Sequence, residues 1–244
     1  MFSSIPKNVL IAGASGGIGA ALVEHFLSSA NPPALTTISR AAISKRNQEH
    51  RHLQCDLSKP SAIKTAEEFL ADESIKPDWV IHCSGMLTLP PQVPEKSLGM
   101  LNQQWLLRSM QVNVLSHVHL AQALEQQFSV TRELLWASLS AKVGSIGDNR
   151  LGGWYSYRMS KAALNMFVRT LAVEWRRKLR SACVVAVHPG TTDTPLTQPY
   201  QKNIPASRLY TVDQTAQRIC NVLTGLGEQD NGSFLNWDGS QLDW

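Results

Sequence analysis

The chain has 244 residues, of which 43% are hydrophobic and 17% are charged. This composition excludes intrinsic disorder and favours one globular domain over residues 1–244. The formal net charge is only +4 and the basic residues are dispersed, which argues against nucleic-acid binding. No apolar run reaches the roughly 18 residues of a membrane span, and no secretory signal is indicated, so we expect a cytoplasmic protein without membrane attachment.

The cysteines are scattered along the chain without the spacing of a metal site. Three of the four lie in apolar runs that are typical of strands or of a helix. We therefore expect reduced, buried thiols, as in cytoplasmic proteins, and no bound metal. The four residues are Cys55, Cys83, Cys183 and Cys220.

Short apolar runs alternate along the chain with segments whose apolar residues have helical spacing. One of these runs, residues 184–187, is continuous and is typical of a strand buried on both faces. The predicted strands are residues 8–12, 34–39, 52–55, 78–83, 131–138, 184–187 and 232–237.

Helices are predicted between these strands, and Ser58 is a candidate N-terminal cap for one of them. The alternation predicts an α/β fold: a single-domain Rossmann-type, doubly wound parallel sheet of about seven strands with helices on both faces. The predicted helices are residues 18–27, 58–71, 100–128, 155–178 and 212–223. A weak helix at residues 44–50 would make the alternation unbroken; without it, the second and third strands follow each other directly.

Three segments between these elements are predicted to be loops. Residues 85–99 contain three prolines, and residues 144–153 contain four glycines. Four prolines interrupt residues 189–205, which we expect to form a mostly irregular lid.

A cluster of glycines follows the first predicted strand, where the first helix begins. Glycines allow a tight turn and a close approach of the backbone, while free N–H groups and the helix dipole favour a pyrophosphate. In this context the cluster predicts dinucleotide binding, although a plain glycine-rich turn is the alternative. The predicted contacts are Gly13, Ser15, Gly16, Gly17, Ile18 and Gly19.

Arg40 follows the second predicted strand, at a place where an acidic residue would be expected to bind the adenosine ribose of NAD. A guanidinium instead pairs well with a 2′-phosphate, so NADP(H) is favoured over NAD(H). The alternative is a solvated surface arginine, because the glycine cluster contains no second basic residue.

Tyr157 and Lys161 are four residues apart in a predicted helix and therefore share one face of it. A fixed positive charge favours the phenolate, so the pair is a candidate for acid–base chemistry. Taken alone, the same spacing is also typical of a solvated helix face.

Over essentially its whole length, the chain resembles the short-chain dehydrogenases/reductases. The resemblance rests on the glycine cluster, on Tyr157 with Lys161, and on further motifs in the family's order. Finer features resemble the C-factor-like carbonyl reductase branch of that family. The further motifs are Asp56, Asn113 within residues 112–114, and residues 188–190 followed by Thr194. The finer features are residues 143–146, Asn149, residues 152–158, residues 232–239 and Trp244.

This resemblance implies the reduction of a carbonyl compound, an aldehyde, ketone or quinone, to an alcohol with NADPH. Tyr157 would be the general acid, or the base in the reverse direction. Lys161 would lower the Tyr157 pKa and bind the nicotinamide ribose, while Asn113 would belong to a water-linked proton relay. The implied cofactor contacts beyond the glycine cluster and Arg40 are Asp56, Leu57, Ser84, Gly85, Tyr157, Lys161, Pro189, Gly190, Thr192 and Thr194.

Two departures from the family pattern stand out. Residues 82–85 read His-Cys-Ser-Gly where the family has Asn-Asn-Ala-Gly, which puts the bracing of the central sheet in doubt. In addition, the family's catalytic serine falls on Ala141, with Ser140 immediately before it. Either the hydrogen-bond donor to the carbonyl oxygen is missing, at a cost of roughly 10²-fold or more in rate, or Ser140 takes its place.

Apolar and aromatic residues of the loops and lid are candidates for lining a pocket for a small carbonyl substrate, although ordinary packing explains each equally well. A competing function is a cofactor-binding sensor with little turnover, which the loss of the serine keeps open. The resemblance also implies a homodimer or homotetramer formed by the helices at 100–128 and 155–178. The candidate pocket residues are Leu151, Trp154, Leu196 and Tyr200.

Overall fold

The computed structural model describes residues 5–43, 50–128 and 133–244. The strands in these ranges are β1 (Asn8–Ala12), β2 (Ala34–Ser39), β3 (His50–Gln54), β4 (Trp79–His82), β5 (Glu133–Leu139), β6 (Ser181–His188), β7 (Thr191–Thr192), β8 (Leu209–Tyr210) and β9 (Phe234–Asn236). The α-helices are α1 (Gly17–Leu27), α2 (Ala62–Leu70), α3 (Gln103–Met110), α4 (Ser116–Glu125), α5 (Tyr155–Lys178) and α6 (Val212–Thr224).

Seven of the strands form one sheet in the order β3-β2-β1-β4-β5-β6-β9, and every neighbouring pair is parallel. Helices α1 and α6 pack on one face of this sheet, and α2, α4 and α5 pack on the other. The expected doubly wound Rossmann-type fold is therefore confirmed. Because the order reverses between β1 and β4, a crevice opens at the carboxyl ends of these strands.

The strands next to this crevice are buried on both faces, as their apolar runs predict. All but the last residue of β6 are buried. On one face, the rings of Trp136 and Trp175 are fully buried and lie edge to face, with centroids 5.5 Å apart. Burial of each such side chain contributes on the order of 1.5–3 kcal/mol, so the sheet is a firm base for the loops that leave its carboxyl edge.

The prediction of a single helix over residues 100–128 is wrong. The chain instead forms α3, a π-helical turn at Gln111–Leu115 and then α4. Asn102 caps α3 by accepting a hydrogen bond from the Trp105 N–H, so the residues before it belong to a separate turn. The π-helical turn contains Asn113, whose side chain binds the main chain of Met86. Apolar periodicity alone does not reveal such an insertion.

Two other predicted boundaries differ, and two predicted segments lie partly outside the described residues. Ser58 does not cap α2, which begins at Ala62, because its hydroxyl donates to the Asp56 carboxylate. Strand β9 begins at Phe234 rather than at Gly232, whose φ of +82° places it in a turn. Residues 44–49 of the predicted weak helix, and residues 131–132 of the predicted fifth strand, lie outside the described residues.

The predicted lid contains little regular structure. It holds the two-residue strand β7 and a 3-10 turn at Gln198–Asn203. Strand β7 pairs with β8, which lies just beyond the predicted lid, after a second 3-10 turn. Among the described residues, no helix has both the length and the apolar character needed to cross a membrane. The cysteines are free thiols, and two of them, Cys55 and Cys83, are only partly buried.

Candidate active site

The glycine turn between β1 and α1 is closed on two sides by other parts of the chain. Gly13 has a φ of +78°, and a Cβ atom there would lie 2.8 Å from the Ser84 backbone nitrogen. A Cβ atom on Gly17 would lie 2.8 Å from the Thr194 Cγ2. Only glycine fits at both positions, and the turn therefore lies directly between Ser84 and Thr194.

One cleft at the carboxyl edge of the sheet brings together eight of the seventeen residues expected to bind a nucleotide. Its walls are formed by the turns that follow β1, β2, β3 and β4, together with the π-helical turn and the start of α4. The cleft is lined by Gly13, Ser15, Gly16, Ile38, Ser39, Arg40, Cys55, Asp56, Leu57, Ser58, Cys83, Ser84, Gly85, Val112 and Ser116.

Asp56 carries a fixed negative charge at this cleft. Burial alone would raise its pKa, but the Ser58 hydroxyl and N–H donate to its carboxylate, and the charges of Arg108 and Arg40 lie nearby. Together these interactions hold the Asp56 pKa below its usual range. The Arg108 guanidinium also donates to the Ser58 hydroxyl. Arg108 is thus a second basic residue near Arg40, which sequence reasoning missed because it belongs to α3.

Tyr157 and Lys161 lie on the same face of α5, as expected, with Lys161 Nζ 5.9 Å from the centroid of the phenol ring. Lys161 is buried, and its ammonium group donates a 2.8 Å hydrogen bond to the Leu139 carbonyl oxygen. A Cβ atom on Gly85 would lie 3.4 Å from the same ammonium group. The pair is therefore held against the carboxyl ends of β4 and β5.

Burial moves the pKa values of both groups. It raises the pKa of Tyr157 above its usual range and lowers the pKa of Lys161 to about 8. The net Tyr157 pKa is therefore raised by the burial of the phenol. The expectation that the Lys161 charge lowers it stays a prediction. The phenol is consequently protonated at neutral pH.

Asn113 acts as a brace in this structure. Its amide oxygen accepts a hydrogen bond from the Met86 N–H, and its amide nitrogen donates to the Met86 carbonyl oxygen and to the Ser160 hydroxyl. Ser160 in turn donates to the Tyr157 carbonyl oxygen. Asn113 therefore connects the loop after β4 with the helix that carries Tyr157, while its part in a water relay stays a prediction.

Two buried histidines replace the missing amide side chains of the central sheet. The rings of His82 and His117 are stacked, with centroids 3.6 Å apart. His82 Nε2 donates to the Ser116 carbonyl oxygen, and His117 Nε2 donates to that of Ser84. The Ser138 hydroxyl donates to His117 Nδ1. The central sheet is therefore braced, because His82 links β4 to α4 and His117 links α4 to β5.

The Ser140 hydroxyl has a partner away from the Tyr157 ring. It donates a 2.6 Å hydrogen bond to the Asn165 amide oxygen, and Ser140 is only 4% exposed. The next residue, Ala141, has extended backbone, so its side chain and that of Ser140 point to opposite sides. The turn that follows is pressed on α5, since a Cβ atom on Gly144 would lie 2.8 Å from the Lys161 Cβ.

Two of the four expected pocket residues lie together beside Tyr157. The Trp154 ring is 6.3 Å from the Tyr157 ring and 5.3 Å from the Tyr200 ring, measured between centroids. Leu196 is partly buried in the lid, whereas Leu151 is 91% exposed. The structure thus joins the lid to the start of α5 through aromatic contacts.

The segment after β6 is positioned by a backbone turn and by contacts with β8 and α6. Gly190 has a φ of +79°, and a Cβ atom there would lie 3.0 Å from the Tyr210 ring. Pro189, next to it, is partly buried. The Thr192 side chain is buried and shares a 2.9 Å hydrogen bond with the Thr215 hydroxyl on α6. A nucleotide contact from Thr192 would therefore come from its backbone.

Arg158 belongs to a stretch that carries the family resemblance, but the sequence predicts no role for its side chain. Its Nε donates to the Gly152 and Gly153 carbonyl oxygens, and its Nη1 donates to that of Val143. Arg158, the residue after Tyr157, therefore holds the long glycine-containing loop against the start of α5. The sequence signal is weak, because a single arginine on a helix has no distinctive spacing.

Comparison with known proteins agrees with this geometry. Residues 7–205 match the family model described as short chain dehydrogenase. A 1-hydroxy-2-glutathionyl-2-methyl-3-butene dehydrogenase from Rhodococcus sp. is 28% identical over 78% of this chain and 78% of its own length. The C-signal protein of Myxococcus xanthus is 28% identical over 61% of this chain and 84% of its own.

A solved structure, the NADPH-bound carbonyl reductase from chicken fatty liver, has the same fold. It is 26% identical, with a TM-score of 0.79 over 98% of this chain and 99% of its own. The C-signal match agrees with the resemblance to the C-factor-like branch.

Proposed function

Since the chain belongs to the short-chain dehydrogenase family and is an NAD(P)-dependent oxidoreductase, we propose that it reduces an aldehyde, ketone or quinone with NADPH. The observation that carries this proposal is the Tyr157 and Lys161 pair, held on α5 against Gly85 and Leu139. A phenol that keeps its proton at neutral pH is the form that reduction needs, because the carbonyl oxygen must receive a proton.

The residues of the cleft fit a dinucleotide. The glycine turn leaves no room for side chains, so its backbone is free to approach a pyrophosphate. Leu57 and Val112 offer apolar surfaces for an adenine, and Arg40 at the rim would pair with a 2′-phosphate. When bound, the nicotinamide would supply the hydride.

The proposed proton transfer uses the groups on α5. Tyr157 donates its phenolic proton to the carbonyl oxygen as the carbonyl carbon is reduced, and the phenolate that remains takes up a proton from water. Lys161 stabilises that phenolate while its ammonium group is charged. Leu139 holds this ammonium group in place.

The second donor to the carbonyl oxygen is Ser140 or Tyr200. Ser140 would have to give up its hydrogen bond to Asn165. The Tyr200 hydroxyl is buried and has no hydrogen-bond partner among the residues that the structure describes. An unpaired buried hydroxyl is costly, so a substrate oxygen would be a favourable partner. We therefore favour Tyr200, with Ser140 as the alternative.

Purified protein assayed for NADPH oxidation with a panel of aldehydes, ketones and quinones tests this function. We expect turnover on at least one compound and a loss of about 10² to 10⁴-fold in kcat for Tyr157→Phe. The neighbouring Tyr155→Phe is the matched control and is expected to keep its activity. Tight nucleotide binding without turnover, and with no effect of Tyr157→Phe, would instead favour the sensor function suggested by the C-signal relative.

We also propose that the chain forms a homodimer through α3, the π-helical turn and α5. Met159, Met166 and Val173 are exposed and lie seven residues apart along α5. Leu107 and Leu115 are exposed on the packed neighbouring segment. Two such apolar stripes favour association with a second copy.

A further inference from the structure

Helix α5 begins without a side-chain cap of its own. The residue before it, Trp154, has a φ of 52° and a ψ of 42°, a left-handed conformation that is unfavourable for tryptophan. Gly152 and Gly153 before it also have positive φ. The chain therefore enters α5 through three left-handed residues, and the first turn needs hydrogen-bond acceptors from elsewhere.

Glu95 supplies these acceptors from a distant loop. Its carboxylate accepts a hydrogen bond of 3.2 Å from the Ser156 N–H and another from the Ser156 hydroxyl. Its main-chain carbonyl oxygen accepts a hydrogen bond from the Trp154 N–H. One residue thus caps the helix and holds the left-handed residue that precedes it.

The surroundings of Glu95 show that this is a fitted contact. Glu95 is only 2% exposed, and a buried carboxylate is stable only when hydrogen bonds and a favourable field compensate for its lost hydration. The N-terminal end of α5 provides that field. A Cβ atom on Gly153 would lie 3.3 Å from the Glu95 carbonyl oxygen, so this loop and the start of α5 are in close contact.

Ser156 immediately precedes Tyr157, and Glu95 lies in the loop after β4, whose first residues line the nucleotide cleft. We propose that Glu95 is a positioning residue for Tyr157: by capping α5 from this loop, it sets where the phenol meets the substrate. This inference rests on the proposed function and deepens it. Since a displacement of about 1 Å can cost about 10²-fold in rate, a loose first turn would lower kcat.

The test compares two replacements of nearly the same size. Glu95→Gln keeps an oxygen for the Ser156 N–H, and its amide NH₂ can donate to the Ser156 hydroxyl. Glu95→Leu removes every side-chain acceptor. Lys96→Ala, at the next and exposed position of the same loop, is the matched control. For each variant we would measure kcat, KM, the Kd for NADPH, the folded fraction, and amide hydrogen exchange over residues 152–160.

We expect Glu95→Leu to lower kcat at least about tenfold, with NADPH Kd unchanged within about twofold and faster exchange confined to the first turn of α5. Glu95→Gln is expected to keep at least about a third of the wild-type kcat, and Lys96→Ala all of it. Ser156→Ala, which keeps the main-chain bond, is expected to give an intermediate kcat and serves if Glu95→Leu does not fold.

Wild-type kcat in the folded Glu95→Leu protein would overturn the proposal. The proposal would also be overturned if Glu95→Gln lost as much kcat as Glu95→Leu. The same holds if the loss of kcat in Glu95→Leu only matched its loss of folded protein. If Glu95→Leu does not fold, wild-type kcat in Ser156→Ala would overturn it. Tyr157→Phe, assayed with the same substrate, distinguishes a failure of the positioning role from a failure of the proposed function. If it loses activity while Glu95→Leu does not, the positioning role alone fails, whereas full activity in Tyr157→Phe means that the proposed function fails.

Discussion

Lys161 Nζ donates to the Leu139 carbonyl oxygen over 2.8 Å, which ties the helix carrying Tyr157 to the last residue of β5. This bond fixes the ammonium group, while burial lowers its pKa to about 8. Lys161 is therefore charged below about pH 8 and loses its charge above it.

For carbonyl reduction we expect kcat/KM to be level through neutral pH and to fall above about pH 8, by up to about tenfold per unit. The physical reason is that an uncharged amine no longer stabilises the Tyr157 phenolate. Initial rates between pH 6 and 10 measure the profile. In Lys161→Met, kcat should fall by about 10²-fold or more and the inflection should disappear. An inflection that persisted in this variant would assign it to another group.

Two single replacements identify the second donor to the carbonyl oxygen. We expect Tyr200→Phe to lower kcat/KM about tenfold, the value of one hydrogen bond of about 1.4 kcal/mol. Ser140→Ala should change turnover less than about threefold, because its hydroxyl already serves Asn165. Steady-state kinetics with one substrate decides between them, and the opposite ranking would assign the role to Ser140.

Removing Arg40 should change nucleotide preference. We expect Arg40→Ala to raise the Kd for NADPH at least about tenfold and to leave the Kd for NADH within about twofold, since only NADPH carries the 2′-phosphate. Titration of both nucleotides by fluorescence measures this. Arg180→Ala, an exposed arginine after α5, is the control and should change neither constant. Equal affinities of the unaltered protein for the two nucleotides would contradict the role of Arg40.

The buried histidines predict a loss of stability in acid. Burial lowers the pKa of His82 to about 3 and that of His117 well below its usual value. Below about pH 6.5 the unfolded chain binds protons that the folded protein excludes, so stability falls as pH falls, by up to about 1.4 kcal/mol per unit for each group. His188, with its pKa lowered to about 4, adds to this trend.

Urea unfolding at pH 7.5, 6.5 and 5.5 measures that slope. We expect His117→Asn to be less stable at pH 7.5 but to lose less stability on acidification, because one titrating group is gone. An unchanged slope would show that His117 takes up as many protons in the folded protein as in the unfolded chain.

Association through α5 predicts that a charge in the apolar stripe produces a monomer. Met166 is 67% exposed, and Met166→Glu would bury a carboxylate at the centre of the proposed interface. Sedimentation of the unaltered protein should give a dimer, and that of the variant a monomer. Val93→Glu, an exposed apolar position in the loop before α3, should leave the mass unchanged.

The strands, their parallel arrangement and the main elements of the site could be predicted from sequence because they have local signals. Buried parallel strands are continuous apolar runs, and the glycine turn and the Tyr157 and Lys161 spacing each lie within a few residues. The bounds of α5 were predicted correctly for the same reason.

The remaining features depend on contacts between distant residues. Glu95 meets Ser156 across 61 positions, and Arg108 meets Ser58 across 50. No periodicity records such pairs. The π-helical turn at Asn113 likewise depends on the Met86 main chain, 27 residues earlier, and the Tyr157 pKa depends on how deeply the phenol is buried.

The order of strands across the sheet also bears on how the protein is made. Every residue that lines the nucleotide cleft lies between positions 13 and 116, whereas α5 begins at Tyr155. As the chain leaves the ribosome from its N-terminus, β1 and β4 can pair before the helix with the proton donor has been synthesised. A nascent chain arrested after residue 128 would therefore contain every residue that lines the cleft but not the proton donor.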